Sequence, residues 1–136
     1  MTSLHQDENI IHVSIVEDDE FVRASVRRLM RACGYTVEAF PSAADFLAFP
    51  RLEDTACLIA DINMPAMTGL ELFRRLIQAG RQIPTILITA YPDDAVQARA
   101  LAEGVLCYLR KPFDDHDLLR CVRTAVDGAG PPDENS

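Results

Sequence analysis

No two of the four cysteines, Cys33, Cys57, Cys107 and Cys121, are spaced as a CxxC pair, which removes the usual framework of a zinc site. Three of them fall instead inside apolar-periodic segments, where a reduced thiol acts as a small hydrophobe. No stretch is long and apolar enough to span a bilayer. The N-terminus, Met1 to Asn9, is polar and acidic and lacks the basic region and apolar run of a secretory signal. Reduced thiols without an export signal point to the cytoplasm. Basic side chains are scarce too, 13 against 21 acidic ones, giving a formal charge of -8. Affinity for a phosphate backbone comes from Lys and Arg, so this segment is not expected to bind nucleic acid. The calcium-loop signature is also missing.

What is present suits one globular domain. The 136 residues, 49% hydrophobic and 25% charged, can bury a real core but leave no room for a second one. That domain is expected over residues 10–127, with a disordered arm at 1–9 and a disordered tail at 128–136.

The β-branched run Ile11 to Val16 reads as a buried strand. Glu20 to Arg31 follows with Val22, Val26, Leu29, Met30 and Cys33 at helical spacing, and Gly34 stops it. A short strand is expected at Tyr35 to Phe40, then a helix from Ala43 with Ser42 as its N-cap and Pro50 beyond its end. The third strand is Ala56 to Ala60, and a helix over Leu70 to Ala79 turns Leu72, Phe73, Leu76 and Ile77 inward. Strand four spans Ile83 to Ile88, with Pro84 near its start, where a missing N–H is tolerated. Asp93 to Glu103 is helical but weakly amphipathic, mostly alanine beside Val96 and Leu101, with little to hold it in place. Strand five is Val105 to Leu109, and the last helix is Asp114 to Val126.

Five strands alternating with five helices imply right-handed βαβ units, a parallel sheet and helices on both faces, a doubly wound, flavodoxin-like α/β fold. Strands buried on both sides should read as continuous apolar runs, as these do. In such open sheets the ligand site lies at the carboxyl ends of the strands. Four strands end there in polar groups: Glu17-Asp18-Asp19 after the first, Asp61 after the third, Thr89 after the fourth, and Arg110-Lys111-Pro112 after the fifth.

Glu17, Asp18 and Asp61 would crowd three negative charges together, a costly arrangement unless a cation offsets it or some carboxyls hold protons. Magnesium, or manganese in its place, is the natural cation, taking hard oxygen ligands and keeping several waters. An aspartate carboxylate can attack phosphorus to form an aspartyl phosphate, with a metal, a lysine and a hydroxyl on the equatorial oxygens. Asp61, Lys111 and Thr89 match those roles. The plain alternative is that strand-end acids only cap the next helix, as Asp19 does before Glu20, but four such residues on four strand ends make it a poor account of the whole set.

These stretches, Val16-Glu17-Asp18-Asp19, Asp61-Ile62-Asn63-Met64-Pro65 with Thr68-Gly69, Ile88-Thr89-Ala90, Tyr108 and Lys111-Pro112-Phe113, stand in the order and spacing of response-regulator receiver domains. The chain resembles that family, the chemotaxis-regulator-like phosphoacceptor module of two-component and phosphorelay signalling, over about Ile10 to Asp127. Its stretches are most similar to receivers that precede a helix-turn-helix DNA-binding domain. The resemblance implies a signalling switch, not an enzyme beyond its own phosphotransfer and autodephosphorylation. It makes Asp61 the phosphoacceptor and Asp18 a direct magnesium ligand, together with Asp61 itself and the backbone carbonyl of Asn63, with Glu17 helping through water. Lys111 would pair with a phosphoryl oxygen, aimed by a cis bond to Pro112. Thr89 and Tyr108 resemble the switch pair, whose movement would remodel the face made by the fourth helix, fifth strand and fifth helix. Asn63 and Tyr91 fall where the family tunes the lifetime of the phosphoryl group, and bulky Tyr91 suggests slow autodephosphorylation. The implied partners are a histidine kinase or histidine phosphotransferase and a phosphorylation-dependent second copy, with no nucleic acid and no membrane.

Two other readings compete: an aspartyl-phosphate hydrolase of the haloacid-dehalogenase type, and a degenerate receiver that only binds partners. The hydrolase would carry its nucleophile on the first strand, followed two residues later by a second aspartate, and Asp18 is not flanked that way. His5, His12 and His116 share no spacing for a nucleophile or metal, and Met64 and Met67 are expected to pack or to help receive a partner.

Overall fold

The computed structural model describes residues 10–127. The arm 1–9 and the tail 128–136, expected to be disordered, lie outside the described residues. The chain runs β1 (His12–Val16), α1 (Glu20–Ala32), β2 (Thr36–Phe40), α2 (Ala43–Leu47), a 3-10 turn (Leu52–Asp54), β3 (Thr55–Asp61), α3 (Gly69–Gln78), β4 (Thr85–Thr89), α4 (Asp94–Ala102), β5 (Cys107–Arg110) and α5 (Asp115–Asp127). The strands form one parallel sheet in the order β2-β1-β3-β4-β5. This is the doubly wound flavodoxin-like fold.

Alternation along each strand splits the core in two. Leu58, Ala60 and Leu87 face a cluster built with Phe46 of α2, Leu72, Phe73 and Leu76 of α3, and Ala100 of α4. Cys57, Ile59, Ile86 and Ile88 face the other way, against Val26 and Met30 of α1 and Leu118, Val122 and Ala125 of α5. Both faces of the central strands are covered, which is why they read as unbroken apolar runs.

Helix starts follow side-chain capping of otherwise unpaired N–H groups. Asp19 accepts from Phe21 N and Val22 N, Ser42 from Asp45 N, and Asp93 from Ala95 N and Val96 N. Thr68 and Glu71 form a reciprocal capping box at α3. Gly34 ends α1 with φ +93°, a conformation open to glycine and costly to residues with a Cβ.

Several expectations need correction. Cys33 is exposed, because it sits at the C-cap of α1, past the last inward turn. Ile77 is 44% exposed near the end of α3, outside the set Leu72, Phe73 and Leu76 that the helix buries. β4 and β5 begin two residues later than their apolar runs, at Thr85 and Cys107, so Pro84 lies before its strand, where its carbonyl accepts from Leu58 N. The 3-10 turn at Leu52–Asp54 was not foreseen. At Ile83, Leu52 and Val105 an apolar side chain is buried although its backbone lies outside any strand, a distinction hydrophobic pattern does not make.

Candidate functional site

Because the strands are parallel, β1, β3, β4 and β5 all end at one edge of the sheet, and their polar ends meet there. Glu17 is fully buried, Asp61 and Thr89 are buried, and Asp18 is exposed at the mouth. Glu17, Asp18 and Asp61 each offer an oxygen within 4.8 Å of the others. Lys111 Nζ reaches into this group, 3.0 Å from Glu17 Oε1 and 3.3 Å from Asp61 Oδ2. The lysine comes from the loop after β5, held by its backbone N–H donating to Thr89 O at 2.7 Å, and the Lys111–Pro112 peptide bond is cis.

Two of the three acids, Asp61 and Glu17, are oriented by backbone. Asn63 N–H donates to Asp61 Oδ1 at 3.1 Å and Asp19 N–H donates to Glu17 Oε2 at 3.0 Å. Arg23 reaches back from α1 to donate to the Glu17 carbonyl at 2.9 Å. Glu17 Oε1, although at ion-pair distance from Lys111, receives no hydrogen bond. The charge of the Lys111 ammonium, shared with Asp61, is what offsets the burial of this oxygen, which keeps acceptor capacity unused.

Charge and burial set the protonation of the group. Burial pushes the Glu17 carboxyl up from 4.5 to about 7; the Asp19 N–H pulls it down, Asp61 pushes it further up and Lys111 pulls it down. Burial alone would lower the Lys111 ammonium, but hydrogen bonding and charge from Glu17 and Asp61 outweigh it and hold the lysine above its ordinary value. One ammonium thus stands against three acids. The donor set of hard oxygens, with the unsatisfied Glu17 Oε1 among them, fits a small divalent cation.

Thr89 hydroxyl donates to Asn63 Oδ1 and accepts from Tyr91 N–H at 2.9 Å. It therefore links the loop after β4 to the loop after β3, one residue pair away from Asp61. Tyr108 is half-buried, and its hydroxyl accepts from Asp93 N–H, the N-cap residue of α4, at 3.1 Å. Tyr91 is 74% exposed. His12 starts β1 at the opposite edge of the sheet, and His116 stays at the surface beside Asp114, so neither joins the site; His5 lies outside the described residues. Met64 is buried and Met67 packs against the same core.

Thr68-Gly69 belongs to the motif read from the sequence, but the backbone roles of Gly69 and of Ala66 were not foreseen. A Cβ on Gly69 would lie 2.5 Å from the carbonyl oxygen of Asp61, so only glycine lets α3 start this close to the strand end. Ala66 holds φ +71° in the loop between them, a conformation that costs a residue with a Cβ on the order of 1 kcal/mol. A glycine placed inside the capping box, not before it, was the available signal for the first; nothing in the local pattern marked the second.

A family model described as the response regulator receiver domain matches residues 13–123. The response regulator protein TmoT of Ectopseudomonas mendocina is 36% identical over 133 residues, covering 98% of this chain and 60% of that protein. The transcriptional regulatory protein FixJ of Rhizobium meliloti is 34% identical over 113 residues, covering 83% of this chain and 55% of FixJ. Among solved structures, a response regulator receiver protein from Burkholderia phymatum is 39% identical with a TM-score of 0.74, covering 89% of this chain and 98% of that one. The chain thus spans little more than half the length of these two curated relatives. Neither the hydrolase nor the degenerate-receiver reading finds support in these matches.

Proposed function

The chain belongs to the response-regulator receiver family of two-component signalling, and on that premise we propose that Asp61 accepts a phosphoryl group from a histidine kinase or histidine phosphotransferase. The observation that carries this reading is the convergence of Lys111 on both Asp61 and Glu17 beside a third carboxylate, Asp18. Residues 10–127 form the receiver.

Asp61 Oδ attacks phosphorus in line with the donor's imidazole nitrogen. The P–N bond breaks, and the imidazole leaves with the electron pair and takes a proton. Asn63 N–H and Lys111 hold the Asp61 carboxylate in one orientation, which reduces the entropy lost on reaching the reactive geometry. Lys111 follows the developing charge onto a phosphoryl oxygen, and Thr89 supplies a hydroxyl once it leaves Asn63. Asp18, Asp61 and the Asn63 carbonyl would hold magnesium or manganese directly and Glu17 would hold it through water. When bound, the ion neutralises phosphoryl charge.

Release of Thr89 from Asn63 leaves room beneath β5, and Tyr108 turns inward, giving up Asp93 N–H. The α4-β5-α5 face changes, and a second phosphorylated copy docks on it. Tyr91 stands where it would shade phosphorus from water and slow autodephosphorylation, with Asn63 setting how a water is placed. FixJ carries transcriptional regulation in its name, and the same output is proposed for the protein to which this domain belongs.

The test is incubation with acetyl phosphate and magnesium, followed by intact-mass measurement. One phosphoryl group should appear on the chain and be absent from Asp61→Asn. Equal uptake by Asp61→Asn, or none by the unaltered chain at millimolar magnesium, defeats the assignment.

A further inference from the structure

Helix α1 carries Arg23, Arg27, Arg28 and Arg31, and the first of them stands where a helix does not favour a cation. Arg23 lies near the positive end of the helix dipole, whereas Arg31 lies in the last turn, at the negative end. Arg27 and Arg28 are exposed, but Arg23 is half-buried. Its side chain leans back toward the helix start, as helical side chains do. There its guanidinium Nη1 donates to the Glu17 carbonyl at 2.9 Å and lies 3.5 Å from the Asp18 carbonyl, at the outer limit of a hydrogen bond.

The turn Glu17-Asp18-Asp19 joins β1 to α1 and carries two of the three clustered acids. It is tied at both ends. Glu17 N–H donates to Phe40 O at 3.0 Å on the strand side, and Arg23 N–H donates to Asp19 O at 2.9 Å on the helix side. Asp18 lies between these ties and is exposed at the mouth, so its carboxylate is aimed by the backbone on which it stands. Arg23 holds that backbone twice, by its own N–H at Asp19 and by its guanidinium at Glu17.

We infer that Arg23 is a positioning residue for the divalent ion, bracing the turn so that Glu17 and Asp18 keep their spacing to Asp61. It acts on the ion site proposed above, and its role rests on that site. A guanidinium beside carboxylates also acts through its charge, and the two effects have opposite signs. As a charge, Arg23 repels a divalent cation and weakens its binding. As a brace it strengthens binding, because ligands already held in place need less ordering when the ion arrives. Groups that orient metal ligands are typically worth about ten- to hundredfold in affinity. Water and salt screen a partly exposed charge, so the brace is the larger effect.

The sign of one measurement separates them. The full chain is titrated with manganese, bound ion being read from loss of the free-ion electron paramagnetic resonance signal, and with magnesium as competitor; no phosphodonor is present. Arg23→Met and Arg23→Gln, both good helix formers that lack the charge and the reach, should bind either ion about tenfold more weakly while circular dichroism shows them folded. Arg27→Met removes the same charge one turn along the helix and should leave affinity unchanged or slightly higher. Because a single nitrogen of Arg23 makes both contacts, Arg23→Lys keeps a donor for the Glu17 carbonyl and should recover most of the loss. Affinity in folded Arg23→Met and Arg23→Gln equal to or above that of the unaltered chain overturns the assignment, as does an equal fall in Arg27→Met or an Arg23→Lys no better than Arg23→Met. Absence of ion binding by the unaltered chain is a different failure, which removes the ion site and the role of Arg23 together.

Discussion

At the residue scale the site is governed by Glu17. Its folded carboxyl holds a proton up to about 7, while the unfolded side chain releases it near 4.5. Between these values the native state binds a proton that the unfolded state has lost, so stability falls as pH rises. In metal-free protein this contribution is complete below about 4.5 and is lost as pH climbs through about 7. Urea unfolding across that window, in chelator, should therefore give midpoints that drop with pH. Glu17→Gln should flatten the dependence, and saturating magnesium should flatten it too, by favouring the carboxylate and so bringing the folded group back toward its unfolded titration. A midpoint independent of pH in the unaltered chain would place the buried proton elsewhere. Lys111 carries the opposite charge, and Lys111→Met should destabilise the metal-free protein by about 3 kcal/mol above the Glu17 titration, because two buried carboxylates lose their counter-ion. Denaturant unfolding at alkaline pH measures it.

At the scale of elements, the loop from β3 to α3 couples the acid to a helix start. Gly69 is the first residue of α3 and lies against the Asp61 carbonyl, with Leu87 on its other side. Gly69→Ala inserts a methyl where neither backbone nor core can yield. It should cost about 1–3 kcal/mol and displace Asp61 enough to lower phosphoryl uptake in the same variant. Chemical denaturation and acetyl-phosphate labelling check the two effects together; a stable, fully labelled variant would contradict the packing. The helix α4 is the contrasting element. Ala100 is its single buried residue, and it is held instead by its Asp93 cap, by the Tyr108 hydroxyl at that cap, and by a bidentate pair from Arg74 of α3 to Glu103 at its C-cap, at 2.7 and 2.8 Å.

At the scale of the whole molecule, opening should begin where apolar burial is least. Amides of α4 are expected to exchange with solvent before those of α3 or of the central strands, and Tyr108→Phe should speed the first turn of α4 further by removing an acceptor worth about 1 kcal/mol. Hydrogen-exchange mass spectrometry resolves this directly, and protection of α4 equal to that of β3 would refute it. The architecture was readable before any coordinates because a parallel sheet imposes two strong patterns, apolar runs of strand length and helical periodicity between them, with acids, threonine and lysine falling on the strand ends. Less legible were features that depend on two segments meeting. The exposure of Ile77 and Cys33 and the late start of β5 depend on which neighbours each segment meets. The contact of Gly69 with Asp61 and the hydrogen bond of Thr89 to Asn63 join residues whose local sequence says nothing of each other.

Periodicity and the polar residues that interrupt it determined, by sequence alone, the fold class, the edge at which chemistry occurs and the identity of its acids, hydroxyl and ammonium group. Tertiary structure decided which of those groups is buried, which oxygen is left unsatisfied, where Lys111 divides its charge, and that Thr89 is held by Asn63 while Tyr108 caps α4. The reason is one of range. Hydrophobic pattern is written along a single segment, whereas desolvation, pairing and close approach arise only when segments far apart in the chain are brought within a few ångströms of each other.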